Sequence, residues 1–158
     1  MQGQGFEIGR REFFAAAGAG AIAALAFAGE AGAAEPSAGE KANRKLVEDF
    51  CMGWMAKSYD PDKEMGRFLA NDSSVRMEED KPPVVGPAAV AAAWKGFSTA
   101  GQSIDVKILE VFAKGPVVVT SRVDTVKAPG KVDQIYKVAG VFIVKGGKIK
   151  EWTDFLVS

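Results

Sequence analysis

Three charged side chains occupy positions that strand periodicity assigns to an apolar face. In VVVTSRVDTVKA (residues 117–128), Val118, Thr120, Arg122, Asp124 and Val126 fall on one side of a two-residue repeat, so a guanidinium and a carboxylate point the same way. In KEWTDFL (residues 150–156), Trp152, Asp154 and Leu156 share a face, which puts a carboxylate between two large apolar groups. A desolvated carboxylate requires a cation or a proton, and a guanidinium fork can serve two carboxylates at once. Spacing alone admits two arrangements: Arg122 and Asp124 turned to solvent in ordinary surface pairs with Asp154 capping a strand end, or an inward cluster in which Arg122 bridges both carboxylates. The chain contains no histidine. That removes Ser-His-Asp and Cys-His nucleophile activation and the usual imidazole ligands of catalytic zinc, leaving carboxylates, Lys or Tyr for acid–base work.

The elements that must carry these residues can be read from periodicity. Leu46, Val47, Phe50, Cys51, Trp54 and Met55 recur at helical spacing and predict an amphipathic helix over 41–58. Asp60-Pro61 is an N-cap and first-turn pair for a second short helix ending near Leu69 and closed by Asn71-Asp72. SSVRMEE (73–79) reads as a short strand, KPPVVGP (81–87) as a loop, and Gly86-Pro87 as the start of a third helix with Val90, Ala91, Trp94 and Phe97 on one side. After Gly101 the period becomes alternating. Ile104, Val106 and Ile108 face one way and Leu109 and Val111 take the opposite phase, which predicts a bulge. Turn signals at Gly115-Pro116, Pro129-Gly130 and Gly146-Gly147 separate strands 117–127, 131–145 and 148–157. Helices followed by a long antiparallel meander predict an α+β fold, a curved sheet covered on one face by the N-terminal helices and forming a cone with an internal pocket.

Length and charge narrow the partners. A chain of 158 residues accommodates one domain with a genuine core. Lys plus Arg and Asp plus Glu both number 20, so no net field draws the protein to nucleic acid or an anionic membrane, and a small apolar molecule is the expected partner. Lone Cys51 has no internal disulfide partner and is expected to pack as a hydrophobe. Residues 1–34 read as a cleaved export signal: Arg10-Arg11, an apolar stretch from Phe13 to Ala28 too short for a stable span, then small residues suited to cleavage after Ala33 or Ala34. The segment resembles a twin-arginine signal, which implies a periplasmic or otherwise exported protein with no membrane contact after cleavage; an ordinary secretory signal is the alternative. Residues 35–158 are then one domain, with 18 basic and 17 acidic side chains. Lacking histidine and any glycine-rich phosphate loop, it is expected to bind no metal or organic cofactor.

SRVD at 121–124 with GGKIKEWTDF at 146–155, which sets Asp154 thirty residues after Asp124, resembles the limonene-1,2-epoxide hydrolase family, within the cone-shaped nuclear transport factor 2-like and polyketide-cyclase-like superfamily. The resemblance spans nearly the whole of residues 35–158. It implies a one-step addition of water to a small apolar epoxide, with Asp154 as the base that activates water, Asp124 as the acid that protonates the epoxide oxygen, and Arg122 as the bridge between them. Where the family has a water-holding Tyr-x-Asn pair, this chain aligns Arg76-Met77-Glu78, give or take one residue, so Arg76 and Glu78 are either contributors to the site or an exposed pair. Trp94, Phe97, Tyr136, Phe142 and Trp152 are candidates for an apolar substrate wall or for plain core, and a homodimer is the expected assembly. The alternatives are a non-catalytic ligand-binding domain of the same fold, or a carbonyl-enol isomerase or cyclase using Asp124 or Asp154 with Tyr59 or Tyr136 as the oxyanion contact.

Overall fold

A computed structural model describes residues 35–99 and 101–157; the expected export signal lies outside the described residues. Residues 35–158 form a single compact unit, built as α1 (Ala38–Gly53), α2 (Pro61–Phe68), β1 (Leu69–Arg76), β2 (Val84–Val85), α3 (Pro87–Thr99), β3 (Ser103–Lys114), β4 (Val117–Lys127), β5 (Gln134–Lys145) and β6 (Lys148–Leu156). The six strands make one open mixed sheet in the order β2-β1-β6-β5-β4-β3. All neighbours are antiparallel except β1 and β6, which run parallel. This is the predicted α+β architecture.

Local chemistry accounts for most of the boundaries. Ser37 and Glu40 form a reciprocal capping box at the start of α1, and the Asp60 carboxylate accepts from the amides of Asp62 and Lys63 ahead of Pro61 at the start of α2. Gly146 and Gly147 both take positive φ in the two-residue turn joining β5 to β6, the conformation that a tight hairpin of this twist requires. The predicted bulge is present in β3: the register with β4 slips between Ile108 and Glu110, Leu109 is the extra residue and is exposed, and Val111 resumes the inward phase.

Tertiary pairing overrides local signals in two places. Asn71 and Asp72 do not close the second helix; the chain turns extended at Leu69 because β1 finds a parallel partner in β6, with Lys150 reaching the Asp72 carboxylate. Val84 and Val85, predicted as loop, pair with Val75 and Ser74 as a short edge strand. Turn-forming residues yield to a sheet when a partner strand supplies hydrogen bonds.

The helices cover one face of the sheet. Val47, Phe50 and Cys51 from α1 and Trp54 at its C-cap, Met65 and Phe68 from α2, and Val90, Ala91 and Trp94 from α3 meet Val75, Val106, Val118, Phe142, Val144, Ile149 and Trp152 in one core. The opposite face leaves Phe112, Ile135 and Phe155 exposed. Glu40 straps helix to sheet: its carboxylate accepts from the amides of Ser37 (2.7 Å) and of Gly115 (2.9 Å) in the β3–β4 turn, 75 residues away.

These backbone amides hold the Glu40 carboxyl down to about 2, from an ordinary 4.5. A depressed folded-state value means the strap contributes in full above the unfolded value and fades as pH falls towards the folded one. Glu40→Ala should therefore lower the thermal midpoint at pH 7, and the gap to wild type should close between pH 4.5 and pH 2. A gap independent of pH would assign the loss to packing instead.

Candidate active site

β4 and β6 present the three predicted residues inward. Arg122 is 1% exposed, Asp124 6% and Asp154 7%, which rules out the solvent-facing arrangement. Arg122 Nε donates to both oxygens of Asp124 at 3.0 Å, Nη1 donates to Thr120 Oγ1 at 3.3 Å, and Nη2 donates to Asp154 Oδ2 at 2.5 Å. Trp152 Nε1 donates to the other Asp154 oxygen at 2.7 Å. The Arg122 guanidinium carbon also stands 5.4 Å from the centre of the Trp54 ring, a cation–π distance. Trp152 is itself locked, stacked between Phe142 (5.9 Å) and Trp54 (5.3 Å) and met edge-on by Phe50 (5.4 Å).

Electrostatics follow from this burial. Desolvation raises both aspartic acids above the usual carboxyl range, and the charge and hydrogen bonds of Arg122 only partly offset it; Trp152 pulls Asp154 further back, whereas the charge of Asp154 pushes Asp124 up. Desolvation opposes the charge of Arg122, but the two carboxylates outweigh it and hold the guanidinium above its ordinary value. The Cys51 thiol of α1, next to the cluster, is pushed up to about 12 by burial and is no nucleophile at neutral pH. One cation and two carboxyls are neutral only when one proton is retained, and a buried cluster favours the neutral count.

The cluster forms one side of a cavity of about 390 Å³ otherwise walled by Trp54, Met77, Ala93, Trp94, Phe97, Ile104, Val126, Val138 and Leu156. Of the predicted contact residues, Trp152, Tyr136 and Glu78 line it, Glu78 with an exposed side chain 3.9 Å from Lys81. Phe142 does not: it is fully buried behind Trp152 and belongs to the core. Arg76 is exposed and lies outside the lining. Val75, paired with Trp152, is buried in the core, and Met77, just past the end of β1, lines the cavity beside Glu78. Among the described residues, no group of three or more Cys, Asp or Glu side chains is placed to hold a metal ion.

Gly140 went unnoticed in the sequence. It sits in β5 opposite Thr120 on one side and Asp154 on the other. Its signal was a lone glycine inside a strand, KVAGVFIVK, a pattern that marks close approach of other atoms to the backbone.

A half-open sheet wrapped on one face by helices, with an Arg-bridged carboxyl pair at the wall of its cavity, is a cone-shaped α+β domain. The chain belongs to the limonene-1,2-epoxide hydrolase catalytic domain family, which matches residues 41–157. Solved structures agree on the fold. An LEH-like epoxide hydrolase from M. tuberculosis superposes with a TM-score of 0.65 at 22% identity, covering 75% of this chain and 84% of that one. An NTF2-like protein from Anabaena variabilis ATCC 29413 gives 0.61 at 22%, covering 74% and 91%. A protein from Jannaschia sp. CCS1 designated a SnoaL-like polyketide cyclase gives 0.65 at 17%, covering 77% and 90%. No curated protein matches the sequence.

Removing the guanidinium tests the charge balance. Arg122→Ala leaves two buried carboxyls without a cation, and breaking such a pair typically costs about 3–5 kcal/mol. The folded-state values of Asp124 and Asp154, already raised, rise further; a raised carboxyl destabilises the fold above its folded value and relieves it as pH falls back towards 3.8. The variant's thermal midpoint should therefore drop sharply at pH 7 and partly recover near pH 5. Equal losses at both values would contradict the buried-cluster account.

Proposed function

We propose that the site adds water to a small apolar epoxide in one step. The observation that carries this reading is the unequal dressing of the two acids by one guanidinium. Asp154 receives two separate donors, from Arg122 and Trp152, and is the better holder of negative charge. Asp124 divides a single N–H between its two oxygens and feels the charge of Asp154, so the retained proton resides there. Asp154 then takes a proton from water as the water oxygen attacks an epoxide carbon; the C–O bond breaks, and the leaving oxygen takes the proton of Asp124. The cluster ends with the same proton count, the proton now on Asp154, and resets by returning it to Asp124. The apolar walls shelter the hydrocarbon part of the substrate, and their aromatic rings suit a cyclic or aryl skeleton.

Met77 and Glu78 favour one competing reading. With Met77 apolar, Glu78 largely turned to solvent and Arg76 outside the lining, the attacking water has fewer anchors than an inward polar pair would provide, and a domain that only binds its ligand, or shuttles a proton within it, needs no such anchor.

Turnover of limonene-1,2-epoxide in ¹⁸O-labelled water separates the readings: hydration places one solvent oxygen in a diol, isomerisation places none, and pure binding yields no product. Asp154→Asn and Asp124→Asn should each reduce hydration by ~10²–10⁴-fold with the fold retained. A loss below about tenfold in either variant would exclude the assigned role.

A further inference from the structure

We infer that Gly140 is a positioning residue, the gap in β5 through which Arg122 reaches Asp154. The two carboxylates lie on strands that are not neighbours: Asp124 is on β4, Asp154 is on β6, and β5 runs between them. Strands two apart are separated by about 9.6 Å, so a side chain joining them must pass over the middle strand. The register shows where. Across β5, Asp154 stands opposite Gly140, and Gly140 stands opposite Thr120; Arg122 is one inward position further along β4, opposite Val138. The guanidinium therefore runs diagonally back over Gly140, touching Thr120 Oγ1 on the way to Asp154.

A Cβ at residue 140 would fall closer to Arg122 Nη1 than real Cβ atoms come to any heavy atom, and would also meet Thr120 Oγ1 at 2.7 Å and Phe142 Cε2 at 2.8 Å. None of these neighbours can easily give. Arg122 and Phe142 are buried, and Phe142 is stacked on Trp152, which in turn holds Asp154. Gly140 has no positive φ, so backbone conformation does not demand glycine here; the side chain of Arg122 does. Even the smallest side chain would lift the guanidinium off its path. The Asp124 contact lies along β4 itself and would suffer less than the Asp154 contact, which crosses the gap. The two acids would thus lose their shared cation unequally, and with it the distinction between them.

The titratable groups facing Arg122 are Asp124 on its own strand, Asp154 across β5 and the Cys51 thiol from α1. Carboxyl-carbon NMR titration of full-length protein labelled at aspartate, wild type against Gly140→Ala, reads the effect without substrate and so independently of whether the site hydrates epoxides. Gly140→Ala should move the Asp154 titration upward by more than that of Asp124. Unchanged titrations of both acids in a folded variant would overturn the assignment and leave Gly140 as mere packing. Should Gly140→Ala not fold alone, the Gly140→Ala/Arg122→Met double variant decides, its circular dichroism and denaturant midpoint read against Arg122→Met: a double variant as folded as Arg122→Met supports the assignment, and one that is unfolded or markedly weaker than Arg122→Met overturns it.

Discussion

Everything around the cavity is organised by the burial of one guanidinium with two carboxyls. Taking such charges out of water costs several kcal/mol per ion even after relaxation, and an apolar substitute of the same shape would often be at least as stable. The cluster is accordingly held from all sides. β4 supplies the cation and one acid, β6 supplies the second acid and the indole that fixes it, and α1 lays the face of Trp54 over the guanidinium. Sheet order and site chemistry are thus the same problem: a strand must separate the two acids, and it must be thin where the cation crosses.

The helix-covered face divides into two zones with different tasks. Around Phe50, Trp54, Phe142 and Trp152 the aromatic rings contact one another at 5–6 Å and leave no room for a ligand; this solid part holds the cluster's geometry. Towards Ile104, Val126, Tyr136 and Leu156 the same face opens, and the bulge at Leu109 lies in β3, the edge strand on that side. Trp54 and Trp152 belong to both zones; Trp152 is buried to 99% yet part of the cavity wall, so aromatic packing is transmitted to the acid in a single hydrogen bond.

Residues whose role is expressed along one strand were legible in the sequence. Arg122, Asp124 and Asp154 stood out because a charge on an apolar phase of a two-residue repeat is anomalous, although spacing left open whether they faced solvent or interior until the family resemblance was added, and the bulge in β3 stood out because the phase changed. Residues whose role depends on a neighbour in another strand were not. Asn71-Asp72 and Val84-Val85 join the sheet only because partners distant in sequence accept them. Phe142 and Trp152 look alike as inward aromatics, and only their stacking order decides that one meets the cavity and the other sits behind it. The absent side chain at residue 140 is the extreme case, since its meaning lies wholly in an arginine from the adjacent strand.

The parallel pairing of β1 with β6 carries a consequence for assembly. Leu69 pairs with Ile149, 80 residues further along, and no β1 neighbour other than the two-residue β2 exists without it. Contacts this distant in sequence make closure slow, because loop entropy is spent before the pairing returns anything. Until β6 arrives, Arg122 has a single acid for company and the core formed by α1 and α2 lacks Trp152. A nascent chain halted before residue 148 therefore has an uncovered β5 edge beside an unfilled aromatic core, the kind of surface that chaperones bind and that aggregates form from.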